Sequence, residues 1–175
     1  MNMKLRLLPV MMTIVVSAGL LFGGWFAYQS FAVENPVINI VRDLDGVAEA
    51  QVESGRQSLQ VRLTLDQQAD LAAIYRTLID RSKAEIGGRT MNIDIVSEGS
   101  AALDQLWSTV LFDIAEAMET RSYGDIPERM RELEQANDQL RVTTAMDEQH
   151  VYITLRSEGQ SKYVVLPRTP IRMGV

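Results

Sequence analysis

The chain has 175 residues, with 23 acidic and 17 basic side chains, one histidine and no cysteine. All 23 acidic residues but only 15 of the basic ones follow position 33, so that part carries a net charge of −8. A negative surface argues against nucleic acid and anionic membrane surfaces as partners, since both attract positive charge. The lack of cysteine excludes disulfides, thiolate zinc sites and thiol catalysis.

The first predicted element is a transmembrane helix at residues 7–28, a run of 22 residues without a charge. At about 1.5 Å per residue, the run reaches about 33 Å and can cross a hydrocarbon core of about 30 Å. Lys4 and Arg6 precede it, and Glu34 is the first charge after it. The positive-inside rule therefore keeps residues 1–6 in the cytoplasm and predicts a single-pass signal anchor of the cell membrane, with the rest extracytoplasmic.

A cleaved signal peptide is the alternative to this anchor. Ser30 and Ala32 place small residues at the −3 and −1 positions of a cut after Ala32. The apolar run is, however, longer than the roughly 7–15 residues usual in signal peptides, and bulky aromatic residues precede the cut. We therefore favour an uncleaved anchor, and the sequence leaves cleavage open.

Small residues recur every four positions within the predicted span, at Gly19, Gly23 and Ala27. Such a ridge lets two helix backbones approach closely, which is how many membrane helices associate. The ridge predicts self-association of the span, although small residues are common in membrane helices.

Residues 37–96 predict an αββαβ module. Apolar residues at helical spacing indicate a short helix after Pro36, with an edge strand as the alternative because valine and isoleucine also favour strands. Strands follow at residues 48–53 and 59–65, joined by a hairpin turn. A helix is then expected at about residues 66–86, capped by Thr64 or Asp66 and ended by two glycines. The last strand covers residues 90–96.

The run LDGVAEAQV at residues 44–52 joins the first predicted helix to the first strand. With the element order, it resembles the ring-building-motif and BON-like αββαβ modules of bacterial envelope assembly proteins. The resemblance covers about residues 37–96. It implies the fold of that segment and a role in assembly, and it implies no functional residue.

Residues 100–167 predict a helical plus β-meander unit. Its first helix begins near Ser100 and shows helical spacing at Leu103, Leu106, Trp107, Val110, Leu111, Ile114 and Met118, which predicts a face packed on a sheet. A second helix, capped by Asp125 with Pro127 and Glu128 behind it, runs to about Ala136. Three strands joined by short turns follow, and residues 168–175 are expected to be a loose tail.

No catalytic, cofactor-binding or metal-binding residues are predicted. His150 is expected to be an exposed turn histidine, since one imidazole beside two adjacent turn carboxylates converges poorly on an ion. The acid pairs Asp43/Asp45 and Asp66/Asp70 could in principle serve glycoside hydrolysis, but the second pair is explained by a helix N-terminus. The Gly87-Gly88-Arg89 run is explained by a helix end rather than by an anion site.

The sequence therefore predicts an α+β protein on an N-terminal transmembrane helix. The favoured function is a non-enzymatic interaction or assembly protein of the bacterial cell envelope, whose partners are other envelope proteins or a second copy. The alternative is an extracytoplasmic ligand-binding or sensory domain acting with a partner membrane subunit, its ligand unknown. A carboxylate hydrolase ranks third. An exposed apolar patch, a closed pocket or a cleft with converging carboxylates would distinguish the three.

Overall fold

The computed structural model describes residues 12, 15–24, 35–55, 57–97 and 101–168. Within them it contains five helices and two three-stranded sheets, which confirms the α+β class. Helix α1 covers residues 15–24. The further elements, in chain order, are α2 (Asn35–Arg42), β1 (Val47–Ser54), β2 (Ser58–Leu65), α3 (Leu71–Ser82), β3 (Thr90–Val96), α4 (Ala101–Glu119), α5 (Asp125–Gln135), β4 (Arg141–Met146), β5 (His150–Ser157) and β6 (Gln160–Pro167).

The predicted transmembrane helix at residues 7–28 is described only in part, by Met12 and α1. No helix among the described residues is both long enough and apolar enough for a membrane crossing. The six large apolar side chains of this region expose between 55% and 77% of their surface: Met12, Val15, Val16, Leu20, Leu21 and Phe22. The possible cleavage site after Ala32 and residues 169–175 of the predicted tail lie outside the described residues.

The first sheet has the strand order β1-β2-β3 and forms the predicted αββαβ module with α2 and α3. β1 and β2 pair antiparallel, whereas β2 and β3 pair parallel because α3 carries the chain back between them. The alternation predicted for β2 is confirmed, since its four apolar side chains at 59, 61, 63 and 65 are all buried. The helix predicted after Pro36 is also confirmed, with Val37 and Val41 fully buried.

Both ends predicted for α3 were wrong, since the helix also stops at Ser82 rather than at the two glycines after residue 86. The helix begins at Leu71, and Asp70 is its N-cap, with Oδ1 accepting a hydrogen bond of 3.0 Å from the Ala73 N–H. Thr64 lies in β2, and Asp66 belongs to the loop that follows it. An N-cap needs extended backbone followed by helical turns, and this sequence offers an Asp at both 66 and 70, so the capping pattern alone does not separate them.

The second sheet is the predicted antiparallel meander β4-β5-β6, covered on one face by α4 and α5. Its central strand places Val151, Ile153 and Leu155 against the two helices, all three at most 3% exposed. The helix cap predicted at Asp125 was wrong: Gly124 is the N-cap, and Asp125 is the first helical residue.

The apolar face predicted for α4 is confirmed only in part. Leu103, Val110 and Ile114 are buried, but Leu111 is 42% exposed, and Ala117 is buried beside the stripe. Successive helical residues are rotated by about 100°, so Leu111 cannot face the sheet together with Val110. The buried stripe is therefore narrower than the apolar pattern suggests.

The second sheet contributes to two apolar clusters, one on each of its faces. Tyr152 of β5 points away from α4 and α5, is 2% exposed and belongs to the apolar cluster of the first module. Three hydrogen bonds join the loop after β2 to the second sheet: the Arg156 guanidinium donates to the Ala69 carbonyl (2.7 Å), the Tyr163 hydroxyl to the Asp66 carbonyl (3.0 Å) and the Gln67 amide to the Gly159 carbonyl (2.6 Å). The layers are therefore the first sheet, then helices α2 and α3, then the second sheet, and finally helices α4 and α5.

Candidate functional site

The small-residue ridge is described at two of its three positions. Gly19 and Gly23 are exposed on α1, and a Cβ added at either would meet no atom within 4 Å. Four residues separate them, so both lie on one side of the helix. Ala27 lies outside the described residues. The described part of the ridge is open to an approaching helix, and self-association stays a prediction.

A polar and aromatic cluster surrounds His150, and the prediction of an exposed turn histidine was wrong. The His150 side chain is 18% exposed and lies edge-on to the Tyr75 ring of α3, with the ring centroids 5.0 Å apart. Its Nδ1 is 4.0 Å from Asp147 Oδ1. Tyr152 packs edge-on to Tyr75 at 5.6 Å. His150 and Tyr152 share a face because they are two residues apart in a strand.

Asp147 is the hydrogen-bond centre of this cluster. Its Oδ1 accepts from the backbone N–H groups of Gln149 and His150, both at 2.8 Å, and its Oδ2 accepts from the Tyr152 hydroxyl at 2.6 Å. The first two bonds close the turn between β4 and β5. The Arg168 guanidinium donates to the Asp147 carbonyl, which joins the end of β6 to the same turn.

The protonation states in the cluster follow from these bonds. Burial alone raises the pKa of Asp147, but the hydrogen bonds from Tyr152 and the two backbone N–H groups, with the nearby His150, outweigh it and lower that pKa overall. Burial first, and then the bond to Asp147, raise the pKa of Tyr152 far above its usual value. Burial and Asp147 also raise the pKa of Tyr75. The ionised Asp147 carboxylate thus holds the β4–β5 turn and the Tyr152 hydroxyl, which gives the cluster a structural role.

The other sequence candidates also have structural explanations. Asp70 caps α3, as described above. Arg89 follows the two glycines. It donates to the Ile86 carbonyl at 2.9 Å and to the Ser54 hydroxyl at 3.0 Å, so it joins the loop between α3 and β3 to β1. Across the described ranges, no three histidine, aspartate or glutamate side chains are placed to hold a metal ion.

An acidic concave surface lies between α4 and α5. This α4–α5 groove has a volume of about 470 Å³. It is lined by the five carboxylates of Asp113, Glu116, Asp125, Glu128 and Glu132, with Arg129 as the one cation among its lining residues. Arg129 donates to Asp113 Oδ2 and, at 2.8 Å, to Glu132 Oε2. These bonds, that to Glu132 first, raise the pKa of Arg129.

Two large apolar side chains of α4 are exposed outside the lining of this groove. Phe112 exposes 81% of its surface and Leu111 42%. Phe112 is not one of the residues that line the groove, but it lies one helical turn from Glu116, which does line it, so these two side chains are neighbours on the surface of α4. Sequence reasoning missed Phe112, although the pair Leu111-Phe112 widens the apolar stripe beyond the face that one sheet can cover.

A larger open groove of about 740 Å³ lies at the other end of α4, between that helix, the α5–β4 loop and the β5–β6 turn. Its polar lining consists mainly of neutral side chains, among them Gln105, Thr109 and Gln139. It opens broadly to solvent and is not the closed pocket that a small-ligand sensor would be expected to have.

Comparisons with known proteins identify no relative: no protein-family model, no curated protein and no solved structure matches the chain.

Proposed function

We propose that the protein is a single-pass, membrane-anchored interaction or assembly protein of the bacterial cell envelope, and that it is not an enzyme. Residues 7–28 anchor it, with the N-terminus in the cytoplasm and the α+β region outside. That region binds another envelope protein or a second copy. This function extends the resemblance of residues 37–96 to αββαβ assembly modules.

The exposed apolar surface of α1 carries the proposal. Six large apolar side chains at Met12 and along α1 expose more than half of their surface, and the described part of this region contains no charge. Burying one such side chain contributes about 1.5–3 kcal/mol. No part of the described chain buries these six side chains, and the acyl chains of a bilayer would bury all of them together.

The described surface of the folded region also supports binding rather than catalysis. Phe112 and Leu111 are large apolar side chains of α4 that the fold leaves exposed, and such side chains are available for contact with a partner protein. The outer face of the first sheet is polar and open, with Arg62 and Asp94 paired across neighbouring strands at 3.3 Å. The polar cluster around Asp147 is fully engaged in holding a turn.

Membrane fractionation with two matched double variants tests the anchor. We expect the full chain to stay with membranes after washing with alkaline carbonate. Leu20→Glu combined with Leu21→Glu should release it, because an acidic residue at the centre of a span costs about 2.5–3.5 kcal/mol. Leu111→Glu combined with Phe112→Glu changes two exposed apolar residues of α4 and should leave the chain in the membrane fraction. Release of the wild-type chain by carbonate would refute the proposal.

A further inference from the structure

The described lining of the α4–α5 groove has more carboxylates than its single cation can neutralise. Arg129 pairs with Asp113 and Glu132. For Glu116, Asp125 and Glu128, the structure shows no cation in ion-pair contact within its described ranges. Three carboxylates therefore face one groove without a counter-charge. A bound cation would be attracted by all three, most strongly at low ionic strength.

An exposed apolar side chain, Phe112, is the neighbour of one of these carboxylates on α4. Phe112 is 81% exposed, which makes it the most exposed of the large apolar residues described. It lies one helical turn from the unpaired Glu116, with Leu111 beside it. An apolar side chain beside an unpaired acid, in a region with further unpaired acids, is a poor fit for an anionic membrane surface, which repels the acids. It also fits a second copy poorly, since the part of the chain beyond position 33 carries a net charge of −8.

We propose that Phe112 and the α4–α5 groove bind a segment of a separate protein that presents an apolar side chain flanked by lysine or arginine. The apolar side chain packs on the Phe112 ring. The flanking cations reach Glu116 on α4 and Glu128 on α5. An amphipathic helix with basic residues beside its apolar face has this chemistry, and a groove between two helices is a recurrent site for such helices. This inference rests on the proposed function and names the chemistry of the partner.

A defined peptide tests the inference on the full chain. The protein is placed in phosphatidylcholine nanodiscs, and the probe is a fluorescein-labelled synthetic helix of leucine and lysine with its leucines on one face. Fluorescence anisotropy reports binding, empty nanodiscs give the background, and the same peptide with glutamate in place of lysine is the charge control. We expect the lysine peptide to bind above background, more weakly at 500 mM than at 50 mM salt, and the glutamate peptide not to bind.

Four variants locate the site. Phe112→Ser should weaken binding about tenfold or more, because the apolar contact is lost. Glu116→Gln combined with Glu128→Gln should weaken it several-fold and reduce its salt dependence. The matched controls are Met146→Ser, which removes another exposed apolar side chain, and Glu49→Gln with Glu53→Gln, which removes two exposed charges of β1. Both controls should bind like the wild type.

Three outcomes would overturn the inference. They are no binding above background, equal binding of the glutamate peptide, and equal weakening by the control variants. A change of oligomeric state in Phe112→Ser, measured by light scattering without loss of peptide binding, would assign this surface of α4 to a second copy instead. Retention of the full chain in carbonate-washed membranes with no peptide binding would leave the proposed function standing and remove this inference alone.

Discussion

The carboxylate of Asp147 provides the most quantitative test of the structure. Asp147→Ala removes two hydrogen bonds that close the β4–β5 turn and the one bond that the Tyr152 hydroxyl makes to a side chain. Tyr152 is only 2% exposed, so this hydroxyl would lose a partner in a place that water reaches poorly. The expected consequence is a loss of stability.

The size of the loss can be worked out bond by bond. Leaving a buried donor unsatisfied costs about 1–3 kcal/mol, and each lost turn bond about 0.5–1.5 kcal/mol. The Asp147 side chain is 21% exposed, and water can reach the freed backbone groups in part, so the turn bonds count at the low end. We expect Asp147→Ala to lower the free energy of unfolding by about 2–4 kcal/mol. Tyr152→Phe removes the donor itself and should cost only about 1 kcal/mol.

Urea unfolding of the full chain in a mild detergent, followed by far-ultraviolet circular dichroism, measures both variants. Equal losses in the two variants, or a loss below about 0.5 kcal/mol in Asp147→Ala, would refute the role assigned to this carboxylate.

The pH dependence of stability tests the same carboxylate, because the structure predicts the direction of the change. The pKa of Asp147 lies below its ordinary value of 3.8 in the folded chain. Its ionised form therefore stabilises the fold above pH 3.8, and that contribution is lost as the pH falls through the lower folded pKa. The difference between wild type and Asp147→Ala should be constant near neutral pH and should shrink in the acid range.

Three other predictions concern backbone, core and anchor. Gly46 has φ +87°, and a Cβ there would lie 3.0 Å from the Ala69 Cβ, so Gly46→Ala should cost about 1–3 kcal/mol in urea unfolding. Gly124, with φ −66° and open space around it, is the control and should tolerate alanine. Leu63 is fully buried and should lose about 2–5 kcal/mol as alanine, whereas the half-exposed Leu111 should change by less than about 0.5 kcal/mol. Gly23→Leu should abolish self-association in a membrane two-hybrid assay, and an unchanged signal would exclude the ridge.

Much of the fold could be predicted because its elements have clear periodicity. The alternation at residues 59–65 predicts a strand with one buried face, and that face is the one the structure buries. The strand predicted at residues 90–96 is confirmed to its bounds. The turns between the last three strands also lie at the positions that polar and glycine residues predict. These features are local, so they can be recognised without knowing what packs against them.

The errors arise where local patterns allow two answers or where contacts are distant in sequence. Asp66 and Asp70 both suit a helix cap, and only the length of the loop after β2 selects Asp70. His150 looked exposed because it follows a turn, but Tyr75 from α3 covers it. The packing of Tyr152 into the core of the first module joins residues about 80 positions apart, which no periodicity reports.

Accessibility of single cysteines in intact cells tests the central claim most directly. The natural chain contains no cysteine, so each variant carries one reactive thiol. Asn2→Cys lies in the segment assigned to the cytoplasm, and Gln135→Cys lies at the exposed end of α5. The account predicts that a membrane-impermeant maleimide labels position 135 in spheroplasts and position 2 only after lysis. Labelling of position 135 only after lysis would contradict it.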